Sequence, residues 1–350
     1  KDGASSIQST DARRGDNPEL GFVKRKEVNV GLDASLFKRL ITVNANFYIN
    51  RMEGMPVQPY TMYPVWFSTG WPNTSFIPYV NYNVDQRMGV DFVVNINKKI
   101  GEVDWTLGLT GNYLKTEAIK RDELYEDKYR NRVGKPIDGL WGLQSNGFYE
   151  SEEDIASYGA TPSFGEVKPG DIKYIDQNKD GVIDEKDEVY LGNPGWSGAP
   201  FAFGINLTAK WRNFTLFARG TGNVGTYGMK DNTYYWVYGD RKYSEVVLNR
   251  WTPATAETAT YPRLTTLSGD NNFRSSDFWL YKANRFDLAK VQLTYDFPVE
   301  MLKKSFVREL GVYVSGENLL TIAKERKYME MNIGSTPQCR FFNIGVKASF

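Results

Sequence analysis

From Cys339 to Phe350 apolar and polar positions alternate along the chain. Phe342, Ile344, Val346, Ala348 and Phe350 fall on one face of an extended segment, and Phe341, Asn343, Gly345, Lys347 and Ser349 fall on the other. A period of two is that of a β-strand with one apolar and one mostly polar side. A strand of this kind ending on an aromatic suits a membrane barrel, in which alternate residues face lipid and lumen. A closing strand of a soluble sandwich is the alternative.

The same alternation recurs upstream. Val28, Val30, Leu32, Ala34 and Leu36 share a face. After a turn at Phe37-Lys38-Arg39, so do Ile41, Val43, Ala45, Phe47 and Ile49, which predicts a long hairpin over 27–50. Met88 to Ile96 and Trp105 to Tyr113 form the next alternating pair across a turn at 98–101. Further strands are predicted at 203–209, 214–218, 286–297 and 310–320, with a bulged candidate at 141–149. The tally is about ten strands, each with the weak individual signal of a barrel strand. Their polar faces carry Glu27, Asn29, Asp33, Asn44, Arg87, Asp91, Lys210 and Arg219, residues suited to a wet lumen or to bulk solvent.

Irregular segments separate these strands. Residues 52–83 hold Pro56, Pro59, Pro64, Pro72 and Pro78, a density that predicts an ordered loop. The charged stretch 115–132 reads as a surface loop with a helical turn at 122–128. Ser151 stands as the cap of a short helix with Asp154 three residues on. Residues 220–277 carry few strand signals, and 302–308 reads as a brief helix after a turn at 298–300. Loops longer than about 15 residues are uncommon in compact domains but normal on one side of a membrane barrel. Short turns therefore alternate with long loops.

Composition narrows the chemistry. Forty-three basic and 42 acidic residues leave a formal charge of +1, which gives no case for nucleic acid. With no histidine, His-based acid–base catalysis and His-ligated metals are absent from this chain. A single cysteine, Cys339, excludes an internal disulfide framework. The 22 tyrosines, 20 phenylalanines and 9 tryptophans fit an all-β protein with aromatic edges. No apolar run is long enough for a transmembrane helix, but spanning strands need only about ten residues. The start, Lys1 to Ser6, lacks an apolar signal core and reads as the interior of a longer protein, with the start of a mature soluble protein as the alternative.

Several short motifs follow one another in order. They are Asn17-Pro18-Glu19-Leu20; Gly139-Leu140-Trp141-Gly142-Leu143-Gln144-Ser145-Asn146-Gly147-Phe148-Tyr149; Gly170-Asp171-Ile172-Lys173-Tyr174; Gly192-Asn193-Pro194; Arg250-Trp251-Thr252-Pro253; Tyr261-Pro262-Arg263-Leu264; and Asn318-Leu319-Leu320. With the terminal aromatic strand, the chain resembles the SusC-like TonB-dependent transporters of the Bacteroidota outer membrane along almost its whole length. The resemblance implies an all-β sector of a large antiparallel transmembrane barrel of about 22 strands, filled by an N-terminal plug. The plug and the early strands are expected outside this chain. The resemblance also implies import of oligosaccharides or oligopeptides with a SusD-like lipoprotein and energy drawn through TonB, and no enzyme activity. A soluble or surface carbohydrate-binding β-protein is the rival.

Two sets of candidate residues stand out. Trp66, Trp71, Tyr234, Tyr235, Trp236 and Tyr238 offer flat rings that stack on sugars or take apolar peptide side chains; packing against a plug, a cap or the membrane interface is the alternative. Asp176, Asn178, Asp180, Asp184 and Asp187 have calcium-loop spacing around Gly181, with the shorter Asp187 where a bidentate Glu is usual. A structural calcium there, or an Asx-rich turn held by its own backbone, are both open readings.

Overall fold

The computed structural model describes residues 15–69, 74–266, 270–303, 306–327, 329 and 338–350. Nine long strands form one antiparallel sheet whose spatial order is their chain order. They are β1 (Lys24–Leu36), β2 (Ile41–Val57), β3 (Val80–Ile100), β4 (Val103–Lys120), β5 (Phe201–Trp211), β6 (Phe214–Val224), β7 (Arg285–Asp296), β8 (Glu309–Ala323) and β9 (Phe341–Ser349). This is a sector of a large antiparallel barrel. Among the described residues no helix is long and apolar enough to cross a membrane.

The register shows why the period-two pattern is there. Leu107, Leu207, Ala218, Val291, Gly316 and Phe342 stand opposite one another in a row across β4 to β9. The next row toward the short turns is Trp105, Ala209, Leu216, Leu293, Val314 and Ile344. One residue over, on the opposite face, the row is Thr106, Thr208, Phe217, Gln292, Ser315 and Asn343. One face is thus a continuous apolar band and the other is predominantly polar. The band is open to its surroundings: Ile344 is 88% exposed and Val346 69%. Such apolar exposure is costly in water and appropriate in lipid.

Aromatic residues mark both margins of the band. Trp211 stacks on Phe214 at 6.1 Å, Phe214 meets Tyr295 at 4.9 Å, and Tyr295 meets Phe297 at 5.2 Å near the short turns. Phe201, Phe203 and Phe286 stack near the long loops. From Phe201 to Trp211 the strand rises roughly 33 Å, or about 25 Å across a layer at a tilt of about 40°. That matches the apolar height of an outer-membrane barrel.

Several boundaries differ from those the pattern predicts. β2 runs on to Val57 and β4 to Lys120, because strands rising past the membrane no longer need to alternate. The irregular loop is therefore 58–79, and the helical turn expected at 122–128 is a 3-10 turn at Lys128–Arg130. The bulged strand expected at 141–149 is two short segments, Leu140–Gly142 and Ser145–Phe148, each paired outside the main sheet. The helix predicted after 302 begins earlier, at Val299–Leu302. The Ser151 cap is as expected, its side chain accepting from Asp154 N at 3.2 Å. In β8, Asn318 has φ +55° inside a register shift and donates to Cys339 O at 3.1 Å. A left-handed residue at a bulge suits asparagine, which accounts locally for the Asn318-Leu319-Leu320 motif.

The chain divides into two compact units. One holds Tyr48–Met88, Thr116–Ile137 and the described part of Lys1–Val28. Within it Asn81 donates to Gly54 O at 2.6 Å and accepts from Gly21 N at 2.7 Å, and Arg121 pairs with Asp85. The other holds Asn29–Phe47, Gly89–Lys115 and Asp138–Phe350. On its polar strand faces Asn46 donates to Asp91 at 3.1 Å and Lys290 pairs with Glu317 at 3.2 Å.

The band makes a directional prediction. Leu207→Arg places a charge mid-band and costs about 2–4 kcal/mol of barrel stability. Thr208→Arg, one residue on and facing the polar side, leaves assembly intact. Heat-modifiability of the membrane-extracted protein on gels separates the two.

Candidate functional site

Four of the motifs that are scattered in sequence, those at 139–149, 170–174, 250–253 and 261–264, meet in space within the larger unit. Gly170 has φ +91°, and a Cβ there would lie 2.4 Å from the Trp251 ring, so the indole rests directly on the glycine backbone. Asp171, 2% exposed, accepts Arg263 Nη2 at 3.0 Å, Asn272 Nδ2 at 2.7 Å and Lys168 N at 2.8 Å, and Arg263 Nε lies 2.8 Å from its Oδ1 as an ion-pair contact. A guanidinium partner together with amide and backbone donors is the arrangement in which a buried charge is tolerated. Arg263 N donates to Gly170 O at 2.9 Å, and Trp251 N donates to Tyr261 O at 2.8 Å. Farther along, Leu143 N donates to Ser275 O at 2.9 Å and Ser145 N to Asp277 at 2.7 Å. The loop after β4 and the loop after β6 are therefore fastened to each other.

Between the fastenings lies a core of Leu143, Ile172, Tyr174, Ile183, Tyr235, Val237, Val247, Tyr261, Phe273 and Trp279. Its polar atoms are satisfied. Tyr174 OH donates to Asn271 O at 2.9 Å, Trp279 Nε1 to Asn272 O at 2.8 Å, and Tyr261 OH to Tyr235 O at 2.7 Å. Burial pushes the Tyr261 phenol up to about 12 and raises Tyr174 as well, so both stay neutral hydrogen-bonding groups.

The aromatic candidates divide over this core. Tyr235 is 5% exposed, and its OH donates to Glu325 at 3.2 Å, so it faces inward. Tyr234, Trp236 and Tyr238 are half-buried and pack on the same cluster. Trp236 and Tyr238 also line a cleft of about 330 Å3 with Phe164, Phe273, Arg274 and Glu185. Arg274 lies 3.8 Å over the Phe164 ring, and Arg241 lies 3.9 Å over Tyr238 while donating to its hydroxyl at 2.7 Å. Rings, a guanidinium and carboxylates together can hold a polar ligand with apolar faces. Trp66 is 74% exposed in the 58–79 loop of the smaller unit, and Trp71 lies outside the described residues.

The 176–187 segment closes on itself. Asp176 accepts Lys179 N at 2.6 Å and Gly181 N at 2.9 Å, Asn178 accepts Asp180 N at 3.0 Å, and Asp180 accepts Val182 N at 2.9 Å. Asp184 accepts Lys186 N at 2.7 Å. Asp187 is fully buried and accepts Gln177 N at 2.8 Å and Asp184 N at 2.9 Å, and burial pushes its carboxyl pKa above the ordinary value. Among the described residues no group of three or more acidic, cysteine or histidine side chains is arranged to hold a metal. The backbone supplies the donors that a cation would replace.

No family model matches the chain. Curated relatives do. TonB-dependent receptor P26 of Formosa agariphila is 25% identical over 333 residues, which is 90% of this chain and 32% of that protein. TonB-dependent receptor P3 of the same organism is 22% identical over 95% of this chain and 35% of its own length. The chain is similar to TonB-dependent receptors over about 90% of its length. It spans about a third of the length of the curated receptors it matches. Among solved structures, the RagAB peptide importer in its open-open state superposes with a TM-score of 0.71 at 18% identity, covering 95% of this chain and 35% of that one. Another structure, of the RagAB peptide transporter, gives 0.72 at 19% identity over 100% of this chain and 38% of that one. As part of an outer-membrane β-barrel, the chain carries its apolar band in lipid and long loops beyond one margin.

Several of the motifs found in the sequence are thus parts of the loop fastening. Sequence reasoning missed their partners Asn271 and Asn272, which follow no periodicity and stand 97 to 101 residues from the groups they meet. Asp171→Ala leaves Arg263 without its anion; with Arg263 a quarter exposed, the cost is about 3 kcal/mol, the lower end for a broken buried pair. The expected readout is rapid tryptic cleavage in the 121–200 loop with the barrel band unchanged on gels. For the 176–187 turn, replacing calcium by EGTA is expected to leave the loop melting midpoint unchanged, since the carboxylates already hold backbone donors.

Proposed function

We propose that this chain forms part of the wall and outer loops of an active outer-membrane importer for oligosaccharides or oligopeptides. The observation that carries the reading is the loop assembly: two long loops welded into a water-excluding core beyond one margin of a lipid-facing band. A fastened pair of loops is a rigid rim on which an outer-face ligand can be captured, with Trp236, Tyr238 and Arg274 at its cleft. The similarity to importers named for peptides supports the oligopeptide side of the reading. A SusD-like lipoprotein fits as the partner that covers the rim, and a plug with a TonB-contacting segment fits as the source of gating and energy. Both lie outside this chain. The edges of the sheet, β1 and β9, fit pairing with the remaining barrel strands.

Native purification in mild detergent, followed by mass spectrometry of co-purifying chains and ligands, tests this. The expected result is a lipoprotein, plug-bearing polypeptide and a retained peptide or sugar. A water-soluble 39.9 kDa species that needs no detergent overturns it.

A further inference from the structure

A second cavity, of about 650 Å3, lies on the polar face of the sheet where β5, β6 and β7 approach the long loops. Ala202, Asn223 and Arg285 form one cross-strand row of its wall, and Thr221 and Asp287 belong to the next. The Gly192-Asn193-Pro194 motif shapes its rim: Asn193 accepts Gly195 N at 2.8 Å through its side chain and Tyr227 N at 2.8 Å through its carbonyl. Two of its lining residues carry a buried polar atom, Asn223 Oδ1 and Thr226 Oγ1, with no hydrogen-bond partner among the described residues. Thr226 is 4% exposed, and its backbone is fixed by Ala283 N at 2.9 Å. A buried hydroxyl left unpaired destabilises a fold, so its retention points to a ligand that pairs it.

The rest of the lining indicates what that ligand is. Arg285 pairs with Asp287 at 3.0 Å, and Thr321 donates to Asp287 at 2.7 Å, so charge of both signs is held at the wall. Met229 and Met329 add flexible thioethers that adapt to varied apolar shapes. Of the two lining rings, Tyr281 is covered by the backbone at Gly228, where a Cβ would lie 2.5 Å from it, which leaves only Trp196 for sugar stacking. Main-chain donors and acceptors with mixed side chains match this lining better than a stack of uncharged sugars. We propose that the cavity is a subsite for an oligopeptide main chain, with Asn223 Oδ1 accepting a peptide N–H and Thr226 Oγ1 bonding a peptide carbonyl. The volume is within the range of about 300–1,000 Å3 usual for small-ligand sites. The inference rests on the importer reading and names its substrate class.

The test uses the receptor purified from membranes with its accompanying chains. A tryptic digest of serum albumin is the peptide probe and malto- and cello-oligosaccharides are the competing class, all read by native mass spectrometry. Thr226→Val keeps the shape and removes the hydroxyl. Peptide affinity is expected to fall three- to tenfold, roughly one lost hydrogen bond, while the melting midpoint holds or rises. Ala202→Phe fills the cavity and is expected to abolish peptide binding. Unchanged peptide binding in both variants overturns the subsite, and so does retention of oligosaccharides in place of peptides. A lowered melting midpoint in Thr226→Val marks the hydroxyl as structural and overturns it as well. Uptake by cells separates the two levels. Uptake lost on deleting the receptor but intact in both variants removes the subsite and keeps the importer. Uptake unaffected by deletion removes the importer itself.

Discussion

The ion pair between Arg263 and Asp171 holds the two long loops of the larger unit together. It sits where the loop after β4 meets the loop after β6, with 92 residues between the partners. Asp171 is buried, so the carboxylate is stable only while the guanidinium, the Asn272 amide and Lys168 N surround it. Each of those donors comes from a segment that the aromatic core in turn orders. Trp251 closes over Gly170 on the same spot, where no larger residue fits. The cleft at Trp236 and Tyr238 depends on this arrangement, because Phe273 and Arg274 follow directly on Asn271 and Asn272.

The strands were legible because two solvents impose one simple rule. A residue facing lipid must be apolar and its neighbour facing the lumen need not be, so period two survives in every strand from β1 to β9. The places where the reading slipped are those where that rule lapses. β2 and β4 extend beyond the band, and there the pattern no longer marks the strand. The segment around Trp141 has strand-like residues but pairs in short pieces with Tyr190 and Tyr174 regions rather than with the sheet.

The loops were legible only as ordered motifs. Gly170-Asp171, Arg250-Trp251 and Tyr261-Pro262-Arg263 could be recognised, but nothing local states that they touch. Their meaning is pairwise, and one sequence carries no sign of the pairing. The same limit explains the aromatic candidates. Tyr235 and Trp236 are adjacent, yet one is buried in the core and the other borders a cleft, a difference set by tertiary packing. The acidic turn at 176–187 shows the converse: its spacing was plain, and the backbone N–H groups that its carboxylates bind could be seen only in three dimensions.

The chain places two opposite hydrophobic orders end to end. In β6 the apolar side chains point away from the molecule's interior. A few residues on, past Val224, they point into it, toward Val237 and Trp279. The sense of a polar-to-apolar exchange therefore inverts along a single stretch of polypeptide. An outward leucine that anchors the wall in hydrocarbon becomes, one loop later, a sticky surface exposed to water. A single hydropathy scale applied with one sign misjudges half of this protein, and the switch falls at the aromatic margin where Phe201 and Phe286 stand.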